Sequence, residues 1–104
     1  MPSAKTKRST AAWLLKASRL LKSLAHPVRL SILQTLLRDG EMNVTQIVVS
    51  QKGMASQSQV SQFLARMRRE DLVQARRDGI TVYYRVRSRD VQKLLEAVGG
   101  ITFH

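Results

Sequence analysis

Residues Ser56–Arg69 read S-Q-S-Q-V-S-Q-F-L-A-R-M-R-R. Val60, Phe63, Leu64 and Met67 recur at i, i+3, i+4 and i+7, the spacing of one apolar stripe on an α-helix. Ser56 and Gln59 stand three residues apart, as a capping box requires, so the helix is expected to begin at Ser56. The front of its other face carries Gln57, Ser58, Ser61 and Gln62, short uncharged hydrogen-bonding side chains, and its back end carries Arg66, Arg68 and Arg69. Glutamine and serine can read base edges in a major groove while arginines hold phosphates. The same pattern also describes an ordinary solvated amphipathic helix, so the flanking sequence has to decide.

Immediately upstream, Asn43 and Gln46 repeat the cap-like spacing, and Val44, Ile47 and Val48 make a short helix ending near Gln51, with Lys52-Gly53 as the turn. Two short helices joined by a glycine-containing turn, the second one polar in front, form a helix-turn-helix pattern. Downstream, Glu70-Asp71 ends the helix. Leu72 to Arg77 then reads as a strand, Asp78-Gly79 as a type I′ hairpin turn and Ile80 to Val86 as a β-branched, aromatic return strand. Arg76, Arg77, Arg85 and Arg87 leave this hairpin strongly basic, with Asp78 as its one acid.

Farther out, Leu30, Leu33, Leu36 and Leu37, with Val28 and Ile32, mark a core helix from Pro27 to about Arg38. Pro27 suits a first helical position, and His26 is expected to cap or hinge between two helices. Glu41-Met42-Asn43 is expected to form a short strand. A first helix starts at Thr10 and shows Trp13, Leu14, Ala17, Leu20, Leu21 and Leu24 on one face, with Lys16, Arg19 and Lys22 on the other. Ser88 is placed to cap a last helix through Val91, Leu94, Leu95 and Val98, with Asp90 in its first turn and Gly99-Gly100 as its stop. Residues 1–9 are expected to be a basic arm, 10–98 the folded domain and 99–104 a short tail.

The 104 residues suffice for one small domain, and a hydrophobic fraction of 43% argues for a folded chain rather than a disordered basic tail. The 18 Lys and Arg outnumber the 7 Asp and Glu, and a formal charge of +11 favours a polyanionic partner, nucleic acid first. No apolar run approaches the ~18 residues of a membrane span and no signal-peptide pattern follows the basic start, so a cytoplasmic protein is expected. Cysteine is absent, which removes disulfides and thiolate metal sites. There is no Gly-rich phosphate loop, nucleophile elbow or carboxylate pair with a histidine, so an enzyme is not expected.

Three segments in order carry a family resemblance. L-K-S-L-A-H-P-V-R-L-S-I-L-Q-T-L (21–36) resembles the second-helix signature of ArsR/SmtB-type bacterial repressors. A-S-Q-S-Q-V-S-Q-F-L-A-R-M-R-R (55–69) resembles their recognition helix, and L-V-Q-A-R-R-D-G-I-T-V-Y-Y-R-V (72–86) their wing. The resemblance covers roughly residues 13–98. It implies a mainly α fold with a small β-hairpin, a winged helix-turn-helix of five helices plus wing. It also implies a homodimer formed by the first and last helices, binding double-stranded operator DNA as a repressor until an inducer arrives. The apolar residues Trp13, Leu14, Leu21, Leu94, Leu95 and Val98 would form that dimer interface. A two-fold dimer would place its recognition helices on half-sites ~34–36 Å apart.

The sequence departs from the family pattern in two places. Metal-responsive members carry a Cys-x-Cys pair where this chain has Asn43 and Thr45 in Glu41-Met42-Asn43-Val44-Thr45. Members that bind zinc on the last helix use Asp, His and Glu, where this chain offers only Asp90, Glu96 and the terminal His104. No metal and no cofactor is therefore expected, and the inducer stays unnamed. The connection Gln51-Lys52-Gly53-Met54-Ala55 is also about two residues longer than the common form.

The DNA-binding residues expected are Gln57, Ser58, Ser61 and Gln62 at base edges, with Gln59 either joining them or spent on the capping box instead. Arg66, Arg69, Arg76, Arg77 and the turn Gly79 are expected at phosphates or in the minor groove. Arg68 and Arg85 read equally as solvated or internally paired side chains. The alternative function is a basic protein that uses the winged helix on nucleic acid without sequence preference.

Overall fold

Val60, Leu64 and Met67, the stripe that defines the Ser56 helix, are buried to 1% exposure or less in the computed structural model, which describes residues 10–101. They meet Ile32, Leu33 and Leu36 from the preceding long helix, Ile47 from the short one, and Leu72, Val73 and Val91 from the C-terminal half. Burial of aliphatic side chains from every quarter of the chain makes one core.

The elements in order are α1 (Ala11–Leu24), α2 (Pro27–Asp39), β1 (Met42–Asn43), α3 (Val44–Ser50), α4 (Gln57–Arg69), β2 (Val73–Asp78), β3 (Thr81–Val86) and α5 (Arg89–Gly99). Five helices and a three-stranded antiparallel sheet in the order β1-β3-β2 constitute the winged helix-turn-helix expected from the sequence. Local chemistry fixes the helix starts. Thr10 Oγ1 accepts from the Trp13 amide at 3.1 Å, and Ser88 Oγ from the Val91 amide at 3.2 Å. His26 caps α2 as expected, its Nδ1 accepting from the Val28 amide at 3.2 Å, with Pro27 at the first helical position.

The wing turn differs from the expectation. Asp78 pairs with Thr81 as the last rung of the ladder, so the two loop residues are Gly79 and Ile80, not Asp78 and Gly79. Gly79 has φ +64 and Ile80 does not have positive φ. A left-handed first position alone is the II′ pattern, whereas I′ needs both. The reason is steric: β-branched isoleucine strongly resists positive φ, and glycine takes the one position that demands it. Ile80 is left at the tip, 98% exposed.

The long connection between α3 and α4 is also resolved into a definite path. Lys52 (φ +52) and Gly53 (φ +83) take successive left-handed conformations, turning the chain back toward Ala55, which is buried. Gln51 is drawn inside, 1% exposed; its Nε2 donates to Ser50 Oγ at 3.1 Å and its Oε1 has no hydrogen-bond partner.

Candidate nucleic-acid interface

Helix α4 begins with a closed capping box. Ser56 Oγ accepts from the Gln59 amide at 3.1 Å, and Gln59 Oε1 accepts from the Ser56 amide at 2.9 Å. Gln59 is thus engaged in the cap, which the Ser-x-x-Gln spacing had offered as one of its two roles. Asn43 and Gln46 form the same reciprocal pair at α3, at 2.8 and 2.9 Å. Asn43 is therefore a helix cap.

Because the buried stripe faces inward, Gln57, Ser58, Ser61, Gln62, Arg66 and Arg69 are all exposed on the rest of α4. The hairpin β2–β3 follows directly, and Arg76, Arg77 and Gly79 are exposed on it. Polar front, cationic back and cationic hairpin therefore sit on consecutive elements with their side chains in solvent.

The arginines differ in what already holds them. Arg76 is clamped by Glu41, Nη2 donating to Oε1 at 2.6 Å and Nε to both carboxylate oxygens, and its guanidinium lies 4.8 Å from the Tyr83 ring centroid. The Arg76 hydrogen bond holds the Glu41 carboxyl below its ordinary range and lifts the Arg76 guanidinium above its own. Arg66 donates from Nε to Glu70 Oε1 at 3.1 Å, one turn on. Arg85 faces the Gln74 amide, whose oxygen, turned toward it, accepts from Nη2 at 2.7 Å and from Nε at 3.0 Å. Arg87 reaches Asp71 at 3.3 Å. Arg69 and Arg77 have no carboxylate partner among the described residues. Two features of this surface were not anticipated: the engagement of Arg76 by Glu41 and the projection of Ile80. A carboxylate 35 positions away has no local signature. The Asp78-Gly79 signal puts Ile80 in the return strand, whereas the Asp78–Thr81 rung leaves it in the turn.

The residues expected at a dimer interface divide into two groups. Trp13, Leu14, Leu21 and Val98 are 44%, 54%, 55% and 39% exposed, and Leu15 and Ile101, not singled out from the sequence, are exposed beside them in sequence. Leu94 and Leu95 are half-buried against the core. Among the described residues no group of three His, Asp or Glu side chains gathers as a metal site; His104 lies outside them, as do residues 1–9 of the expected arm. No helix among the described residues is long and apolar enough to cross a membrane.

A short helix, a turn, a second helix with a polar exposed face and a basic hairpin after it define a winged helix-turn-helix regulator. Residues 26–75 match the family model described as bacterial regulatory protein, arsR family. The chain is 36% identical over 84 residues to the transcriptional repressor PagR of Bacillus anthracis, covering 81% of this chain and 82% of that protein. It is 42% identical over 81 residues to the transcriptional activator HlyU of Vibrio cholerae, covering 78% of this chain and 72% of that one. The crystal structure of PagR superposes with a TM-score of 0.73 at 34% identity, covering 86% of this chain and 99% of that chain. The protein belongs to the arsR family of bacterial regulatory proteins, and it is a DNA-binding transcriptional regulator.

Proposed function

We propose that the chain acts as a homodimeric, non-catalytic repressor on a palindromic operator. The observation that carries this reading is the exposed Gln57–Gln62 face of α4 together with the exposed Arg69 and Arg77, which have no carboxylate partner among the described residues. In this reading Gln57, Ser58, Ser61 and Gln62 meet base edges, with a preference for adenine from bidentate glutamine. Arg69, Arg77 and the Gly79 backbone meet phosphate or the minor groove. Arg66 and Arg76 act there too, once they exchange Glu70 and Glu41 for phosphate oxygens. Gln59 serves the cap first. The exposed apolar residues of α1 and α5 support the dimer, since a domain this small leaves them in water otherwise.

Two substitutions test the assignment on operator and scrambled duplexes. Gln62→Ala should cost about 1–3 kcal/mol on the operator and relax one base position, whereas Arg77→Ala should weaken both duplexes alike. Equal losses on the two DNAs for Gln62→Ala would remove it from base reading. Leu21→Glu should yield a monomer by sedimentation. The formal charge of +11 also suits binding without sequence preference. Selection from a random duplex pool separates the two, because a palindromic consensus emerges only from the first.

A further inference from the structure

Helix α1 and the last turn of α4 enclose a groove of about 440 Å³, lined by Lys16, Arg19, Lys22 and Arg66 with Glu70, and by Ser23, Leu20 and Leu72. Its one carboxylate is already committed. Ser23 Oγ donates to Glu70 Oε2, and Arg66 Nε donates to Oε1 at 3.1 Å. Lys16, Arg19 and Lys22 have no carboxylate partner among the described residues, although they follow one another along a single helix flank. Three exposed cations beside apolar carbon offer an anion with an apolar body both charge and surface to cover.

We propose that this groove is a binding site for a small amphipathic organic anion, a carboxylate or phosphate ester carrying an apolar body. The anionic group would meet Lys16, Arg19 and Lys22, and the body would cover Leu20 and Leu72. The volume lies within the range of small-molecule sites. Lys16 and Arg19 lie ~140–160° around the helix from Leu14 and Leu21, so the cationic side of the groove faces away from the dimer face proposed above. Leu20 lies ~20° from Trp13, so the Leu20 edge of the groove borders that face.

Occupancy is felt at the recognition helix because Arg66 and Glu70 belong to α4 and its cap while forming one wall of the groove. Ser23, at the end of α1, ties that wall to the first helix through Glu70, and Arg29 Nη1 in α2 holds the Ser23 carbonyl at 2.9 Å. An anion that attracts Arg66 loosens its pair with Glu70 and alters how α4 is braced. This coupling rests on the DNA-binding reading; the binding of the anion does not, and it is measured without DNA.

The probes are 2-naphthoate and its uncharged analogue 2-naphthalenemethanol, titrated into the full chain and followed by backbone amide NMR. The acid should give saturable shifts confined to residues 16–23 and 66–72, with the alcohol about tenfold weaker. Arg19→Gln combined with Lys22→Gln should weaken the acid by about tenfold, both being surface changes that leave the core intact. Glu70→Gln should tighten it, and Arg77→Gln on the wing should leave it unchanged. Equal affinity for acid and alcohol, shifts spread over α5 and the wing, or an unaffected double variant would each overturn the site. Saturating 2-naphthoate should also shift the midpoint of an operator titration. An unmoved midpoint overturns the coupling alone, whereas absence of any DNA binding would sink the regulator reading and leave the site standing.

Discussion

Replacing Gln59 by alanine removes the Oε1 acceptor that takes the Ser56 amide at 2.9 Å and leaves the 3.1 Å bond from the Gln59 amide to Ser56 Oγ in place. The lost bond is exposed, so water takes over part of its work, and the cost falls at the low end of the usual range, about 0.5 kcal/mol. Ser56→Ala removes the other half and should cost about 1 kcal/mol, the usual loss for an N-cap. For a domain of about 100 residues these become ~2–4 °C and ~4–8 °C in Tm. Both are measured by circular dichroism at one fixed protomer concentration, because a dimer's Tm moves with concentration. Gln59→Glu supplies the control. It keeps an acceptor and adds a negative charge in the first turn of α4, so its Tm should hold or rise, while repulsion of phosphates lowers affinity on operator and scrambled DNA alike. If Gln59→Ala leaves Tm unchanged but erases discrimination at one base pair, the cap assignment is wrong and Gln59 is a reader.

Glu41 gives a pH prediction. Its folded carboxyl is held below the ordinary range by the Arg76 hydrogen bond, so the pair stabilises the wing fully above that range. The contribution is lost as pH falls through the depressed value. Carboxyl NMR should find the Glu41 midpoint low in the native chain and higher in Arg76→Gln; identical midpoints refute the clamp. Asp71, at φ +60 after the α4 cap, occupies a position that suits glycine. Its 3.3 Å bridge to Arg87 is exposed and contributes little. Asp71→Gly should therefore raise stability to urea by about 0.5–1 kcal/mol, and a loss would show that no strain was relieved.

What the sequence displayed openly is what the chain settles within a few residues. Ser56/Gln59, Asn43/Gln46, His26-Pro27 and Ser88 all name a donor, an acceptor and a spacing, and the interaction is that spacing. The buried stripe of α4 was legible for the same reason. The wing turn was not, because its type follows from the pairing of Asp78 with Thr81, and that register is set along the whole ladder from Val73 opposite Val86. Tertiary partners were equally hidden. Glu41 finding Arg76, Ser23 finding Glu70, and Gln51 turning inward depend on how the helices pack. Leu30 shows the limit on a residue scale. It shares a helix with Ile32 and Leu33, yet it is 36% exposed while they are fully buried. Of the interface, exposure of the α4 and wing candidates was anticipated; which arginines arrive already paired was not.

In the sheet order β1-β3-β2, β2 has a neighbour on one side only. A six-residue edge with unpaired backbone groups is a template for a second copy of itself, and projecting charge is the usual deterrent to such pairing. Arg76 and Arg77 sit on that edge. Two wings meeting edge to edge would bring the two Arg77 guanidiniums together, Arg76 being drawn across the sheet to Glu41, so the charge that suits the hairpin to a polyanion also keeps it from its own kind. Neutralising that charge therefore opens a route to self-association and precipitation at high protein concentration. Lysine replacements keep the edge guarded, and glutamine replacements call for light scattering before any loss of DNA affinity is credited to phosphate contacts.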